Sequence, residues 1–118
     1  MVLPGKDCPE KVDSVQVAEA TIRTLKNTVP TNVPGIVFLS GGQTPEQATM
    51  YLNEMNKEIG LPWQLSFSFG RALQEPVLKT WSGRTENVEA AQKAFDKRAR
   101  LNSLARYGKY SPEMENGK

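Results

Sequence analysis

Two short segments of this chain read as β-strands, and a helix-length stretch separates them. The first, Ile36-Val37-Phe38-Leu39, is a continuous apolar run introduced by Pro34 and Gly35, the pattern of a strand buried on both faces. The second, Trp63 to Phe69, alternates bulky apolar residues with Gln64, Ser66 and Ser68 in steps of two. Its small polar side suits a strand lining a barrel interior near the active end. A strand that reaches the next one through a helix forms a βαβ unit, and that connection makes the pair parallel with helices outside. A parallel sheet needs both faces covered and its edges closed, which two strands cannot do alone. The fold class is therefore α/β, and the chain either assembles with something or is a piece of a larger barrel.

The helices carry their own start and stop signals. Asp13 or Ser14 caps the first, with Gln16 placed to complete a capping box with Asp13. Val15, Ala18, Ile22, Leu25 and Val29 form its apolar stripe, and Pro30 ends it. Thr44 caps the second, Pro45 is its first residue, and Gln47 closes another capping box. Ala48, Leu52, Met55 and Ile59 are its buried stripe, and Gly60 stops it. A shorter helix is expected around Ala72 to Thr80, kinked near Pro76, before a turn at Ser82-Gly83. The last helix runs from about Asn87 to Arg106, with Thr85 as a candidate cap. Residues 1–110 thus form the structured portion, and the polar 111–118 tail is expected to be disordered.

Composition excludes more than it selects. The chain has 118 residues, the length of one domain, and 38% are apolar. A net charge of +2 is too small to argue for nucleic acid or an anionic membrane. Cys8 is the only cysteine and there is no histidine, so these residues cannot build a disulfide, a His/Cys zinc site or a Ser-His-Asp or Cys-His centre. Cys8 has no basic cluster beside it and is not expected to act as a nucleophile. Pro4, Lys6, Asp7, Pro9 and Glu10 interrupt any apolar run at the start, and no stretch is long enough for a membrane span. A cytoplasmic protein is expected, with a plastid as the alternative. Lys97, Arg98, Arg100, Arg106 and Lys109 read as a solvated helix face in preference to an RNA-binding surface, since no aromatic cluster accompanies them. Trp63 and Trp81 read as packing.

Chemistry gathers where the strands end. Ser40-Gly41-Gly42 offers a hydroxyl and backbone N–H groups that no Cβ shields, next to the positive end of the helix starting at Thr44. Gly70-Arg71 sets a guanidinium fork directly after the second strand, with the Ser68 hydroxyl beside it. In a (β/α)8 barrel this end of the strands carries the active site and often a phosphate. Each segment alone also fits a plain tight turn or a surface arginine, and the pattern leaves both readings open.

The segment Val33-Pro34-Gly35-Ile36-Val37-Phe38-Leu39-Ser40-Gly41-Gly42-Gln43 resembles class I fructose-bisphosphate aldolases. So do Leu52-Asn53, Ser68-Phe69-Gly70-Arg71-Ala72-Leu73-Gln74, Asn102-Ser103-Leu104-Ala105 and Gly108-Lys109-Tyr110. The resemblance keeps the family order from Met1-Val2 and Pro4-Gly5 to about Tyr110. It implies the C-terminal part of a (β/α)8 TIM barrel, incomplete in this chain. It implies a glycolytic and gluconeogenic lyase that cleaves fructose 1,6-bisphosphate to dihydroxyacetone phosphate and glyceraldehyde 3-phosphate. The family uses no metal or other cofactor, acts through a lysine Schiff base and forms homotetramers. By resemblance, Ser40, Gly41 and Gly42 contact a substrate phosphate, and Ser68, Gly70 and Arg71 hold it from the next strand.

The departures limit what is expected of the chain alone. The family's Schiff-base lysine lies in a Leu-Lys-Pro-Asn stretch just before the Met-Val that opens this chain, so no catalytic residue is expected here. Lys6 sits in a loop and Lys79 near a helix end, and neither follows a strand. Phe69 stands where many members have tyrosine, and Glu75-Pro76 replaces smaller residues; neither is expected to touch the site. The chain is thus expected to supply phosphate binding without cleavage. The alternatives are a non-catalytic sugar-phosphate-binding or aldolase-associating fragment, or an unstable product that aggregates through exposed strand edges.

Overall fold

The structure, a computed structural model, describes residues 1–117. The elements run α1 (Ser14–Thr28), β1 (Gly35–Phe38), α2 (Pro45–Met55), β2 (Gln64–Phe67), α3 (Arg71–Trp81) and α4 (Val88–Arg106). Short 3₁₀ turns lie at Thr85–Asn87 and Pro112–Asn116. β1 and β2 pair in parallel, with Gly35 opposite Gln64 and Phe38 opposite Phe67.

Local sequence explains where the helices begin. Asp13 accepts from Gln16 N at 2.8 Å while Gln16 accepts from Asp13 N at 3.0 Å. In α2, Thr44 Oγ1 accepts from Gln47 N at 3.1 Å and the Gln47 side chain accepts from Thr44 N at 3.0 Å. Both capping boxes therefore form as expected, and Pro45 begins α2 where its missing N–H has no partner to lose. Thr85, expected as a cap, instead opens the 3₁₀ turn ahead of α4. Pro76 lies inside an unbroken α3, and Ser82 ends that helix in the left-handed region at φ 50°.

The core lies on the helical side of the sheet. Leu52 and Met55 of α2, Leu65 of β2 and Leu101 of α4 have no exposed surface. Trp63 is buried with its indole N–H donating to the Pro30 carbonyl at 2.9 Å, while Trp81 is 43% exposed. Two stripe residues depart from the expected pattern. Val15 is exposed while Val17 and Ala18 are buried, and Ile59, beyond the end of α2, is exposed. The expected two-sided burial of the first strand does not occur. Phe38 is buried, but Val37 is 61% exposed and Leu39 74%, because helices cover one face of the sheet and no layer covers the other among the described residues.

Polar side chains fasten the far end of the core. Asn56 Nδ2 faces the carbonyls of Leu52, Leu65 and Ala105 at 3.2, 3.1 and 3.1 Å, which links the ends of α2, β2 and α4. Asn53 Oδ1 accepts from Tyr110 N at 2.9 Å. After α4 the chain makes a Schellman turn, with Gly108 N donating to Ala105 O at 3.1 Å and Lys109 N to Leu104 O at 2.9 Å. Gly108 has φ +69°, and a Cβ there would sit 2.9 Å from the Asn56 carbonyl oxygen.

The 111–118 segment, expected to be disordered, is docked in its described part; Lys118 lies outside the described residues. The reason is Arg98, which the sequence assigns to a solvated face and which is only 5% exposed. Its guanidinium grips Glu115 in two places, at 2.9 and 2.8 Å, and donates to Thr49 Oγ1 at 3.1 Å. The Thr49 hydroxyl shares its proton between the Pro45 carbonyl (2.9 Å) and Asn102 Oδ1 (2.6 Å). The Tyr110 hydroxyl donates to Glu115 Oε1 at 2.8 Å, and Lys97 donates to the Glu115 carbonyl. A buried arginine needs an anion, and the tail supplies it.

Burial by itself raises the Glu115 carboxyl, but the bonds from Arg98 and Tyr110 and the charges of Arg98 and Lys97 outweigh it and hold the group below the ordinary carboxylate range. Burial, then the Glu115 carboxylate, pushes the Tyr110 phenol well up.

Two outcomes are expected. Gly108→Ala should lower stability by at least ~1–2 kcal/mol in urea unfolding, from the left-handed backbone alone, with the Asn56 contact adding to it. Glu115 is depressed in the folded state, so its stabilisation is complete above the unfolded value of about 4.3 and is lost as pH falls through the lower folded value. Glu115→Gln should flatten that stretch of the pH–stability curve; an unchanged acid limb would show that the tail is not anchored by this pair.

Candidate functional site

Parallel pairing brings the loop after β1 and the loop after β2 to the same end of the sheet. The ladder runs on past β2, where Ser68 N donates to the Phe38 carbonyl at 2.8 Å. The chain then turns at Ser40, closed by Gln43 N donating to Ser40 O at 3.1 Å. Gly41 takes φ +55° in this turn, a conformation that favours glycine. With the turn so shaped, the N–H groups of Gly41 and Gly42 donate to no backbone group among the described residues.

Arg71 joins the two loops. Its Nη2 donates to the Gly41 carbonyl at 2.9 Å and to the Gln43 carbonyl, and its Nε reaches Gly41 O at 3.3 Å. Nη1 donates to Glu75 Oε2 at 2.7 Å. Of the five N–H bonds on an arginine, one on Nη1 is left without a partner among the described residues. The arginine thus sits beside the glycine loop, as expected from the placement of both segments at the ends of consecutive strands. Most of its donors, however, already hold the protein together.

The remaining candidates divide by exposure. Gly41, Gly42, Ser68, Gly70 and Arg71 are exposed, whereas Ser40 is buried at 3% beneath the start of α3. Ala72 N donates to Ser40 Oγ at 3.4 Å, so that hydroxyl supports the first turn of α3.

The two helix N-termini at this end differ. The capping box of α2 uses the Thr44 and Gln47 amides internally, which removes those two donors from any anion. The N-cap of α3 is Gly70, which has no side chain to close the helix end, and the Arg71 N–H is left open there. An anion approaching this end therefore meets the α3 terminus, the glycine amides and the Arg71 edge.

Glu75 is placed differently from the sequence expectation. Expected to stand clear of the site, it contacts Arg71 at 2.7 Å and Lys79 at 3.0 Å. Its position one turn after Arg71 on the same helix is the available signal, since residues four apart share a helix face. The bond and charge of Lys79, followed by those of Arg71, keep the Glu75 carboxyl below the ordinary range. A hollow of about 450 Å³ is lined by Gly70, Arg71, Gln74, Glu75, Leu78 and Lys79. Among the described residues no cluster of three or more metal-ligating side chains forms, and no helix is long and apolar enough to cross a membrane.

Known proteins resemble this chain in sequence and in fold. The family model for "Fructose-bisphosphate aldolase class-I" matches residues 1–118. A fructose-bisphosphate aldolase of Dictyostelium discoideum is 54% identical over 117 residues, which cover 99% of this chain and 33% of the relative. The cytoplasmic isozyme 1 of the Pisum sativum aldolase is 59% identical over 93% of this chain and 31% of its own length. A chloroplastic aldolase of Chlamydomonas reinhardtii is 53% identical over 98% of this chain and 30% of its own. A co-crystal structure of fructose-bisphosphate aldolase from Plasmodium falciparum, in complex with TRAP and a small-molecule inhibitor, superposes with a TM-score of 0.91 at 50% identity. That match covers 94% of this chain and 32% of the solved one. The chain spans about a third of the length of the curated relatives it matches. With the family model running its full length and identities above one half, the chain belongs to the class I fructose-bisphosphate aldolase family.

Proposed function

We propose that this chain forms the phosphate-gripping part of a (β/α)8 aldolase barrel and binds a phosphate of fructose 1,6-bisphosphate. The activity of the whole barrel is aldol cleavage of that sugar to dihydroxyacetone phosphate and glyceraldehyde 3-phosphate. In this reading Gly41 and Gly42 donate backbone N–H groups, Arg71 and the open α3 terminus supply positive charge, and Ser68 and Gly70 complete the rim. Ser40 acts from beneath by fixing the start of α3. The observation that carries the reading is the joining of the two loops by Arg71 at the C-terminal end of adjacent parallel strands, next to unpaired glycine amides.

The bond-breaking step belongs elsewhere. A Schiff-base lysine needs a desolvated pocket that favours its neutral form. No lysine among the described residues is buried; Lys6 is exposed in a loop, and Lys79 is 76% exposed on α3. The isolated chain is therefore a binder and not a catalyst. A second reading, association with aldolase subunits, is favoured by the open sheet face at Val37 and Leu39, which a partner layer would bury.

Borohydride treatment of the 118-residue chain with fructose 1,6-bisphosphate should give no covalent adduct by mass spectrometry. An adduct on any lysine would overturn the assignment of chemistry to residues outside this chain. Arg71→Ala should weaken binding of inorganic phosphate about tenfold in calorimetry, the scale of one charge-assisted hydrogen bond.

A further inference from the structure

The proposed phosphate site contains its own competing anion. Glu75 Oε2 lies 2.7 Å from Arg71 Nη1, the nitrogen whose second N–H is the guanidinium's one unpartnered donor. The other donors of Arg71 are committed to the Gly41 and Gln43 carbonyls and hold the loops in place. The carboxylate therefore occupies the edge of the arginine that is free to meet a ligand. Lys79 contacts the other Glu75 oxygen, Oε1, at 3.0 Å, so Glu75 keeps a cationic partner when Arg71 turns to an incoming anion. All three side chains line the same hollow of about 450 Å³, which runs along one face of α3.

We infer that Glu75 sets the affinity of the proposed phosphate site, by holding the ligand-facing edge of Arg71 until a phosphate displaces it onto Lys79. The inference rests on the phosphate reading above and deepens it. Two physical effects point the same way. A phosphate must break the Arg71–Glu75 contact to engage Nη1 fully, and once bound it faces a carboxylate of like sign across the hollow. Both lower affinity relative to a neutral residue at this position. Each is small at a solvated site, because exposed ion pairs are weak and screened by salt. The result is a tuned site and not a blocked one. Asn or Gln here would keep the hydrogen-bonding shape while removing the competition; a lysine would reverse its sign.

Titration of the 118-residue chain with inorganic phosphate tests this, using the wild type, Glu75→Gln, Glu89→Gln, Arg71→Ala and the Arg71→Ala/Glu75→Gln pair. Glu89 pairs with Lys93 on exposed α4 and controls for loss of one negative charge. Glu75→Gln should tighten phosphate binding about two- to fivefold at low salt, with the gain shrinking as salt rises. Glu89→Gln should change nothing, and the Glu75 effect should vanish when Arg71 is absent. If Glu75→Gln binds no better than wild type while Arg71→Ala still loses phosphate, the site stands and this inference fails. An equal gain from Glu89→Gln also overturns it, since bulk charge then suffices. If Arg71→Ala leaves binding unchanged, or if no variant binds, the phosphate reading fails and this inference with it.

Discussion

Gly35 to Phe38 and Gln64 to Phe67 run side by side in the same direction, joined by a single crossing helix. That pairing decides what the chain can bring together. Two strands of four residues have little interface of their own, so α2 and α4 must press against one face to hold them. In return, the parallel direction delivers both following loops to one end. Had the strands paired antiparallel, Gly41 and Arg71 would stand at opposite ends of the sheet. Their contact at 2.9 Å is thus a consequence of topology before it is one of side-chain chemistry.

The two ends of this small unit are built differently. At the far end, Asn56 reaches carbonyls of α2, β2 and α4, while Arg98 gathers Thr49, Glu46 and Glu115 around a buried charge beside the first turns of α2. Removing one member of such a network leaves a buried polar group without a partner, so its parts stabilise each other. At the glycine-loop end Ser40 and Gln43 are buried, whereas Gly41, Gly42, Gly70 and Arg71 are exposed and some donors are left open. Among the described residues, the Gly41 and Gly42 amides and the Arg71 amide at the start of α3 have no internal partner to give up. Open donors on a backbone held by such networks suit the proposed anion site.

Local signals are legible in the sequence and long-range ones are not. The capping boxes at Asp13 and Thr44 depend on residues three apart, and both form. The strand pair, its direction and the meeting of the two loops follow from the order of elements. The two largest departures, at the first strand and at Arg98, need a covering layer that is absent among the described residues or a partner distant in sequence. Val37 and Leu39 read as buried because apolar runs in parallel sheets are covered on both faces, and here one face is bare. Arg98 reads as a surface cation because its anion, Glu115, lies in a segment whose polar composition suggests disorder. Glu75 is the exception, since its spacing from Arg71 on one helix is a local signal. The candidate site comes from strand ends and family resemblance together; which amides at the two helix starts are already spent emerges only from the structure.

Phosphate is proposed to bind where the glycine loop meets Arg71. Amide chemical-shift mapping of the chain on addition of inorganic phosphate tests it most directly. The largest, saturating shifts should fall on Gly41, Gly42 and Arg71, with Gln47 in the self-capped start of α2 little affected. Shifts centred on Gln47, spread over the basic face of α4, or absent altogether would contradict it.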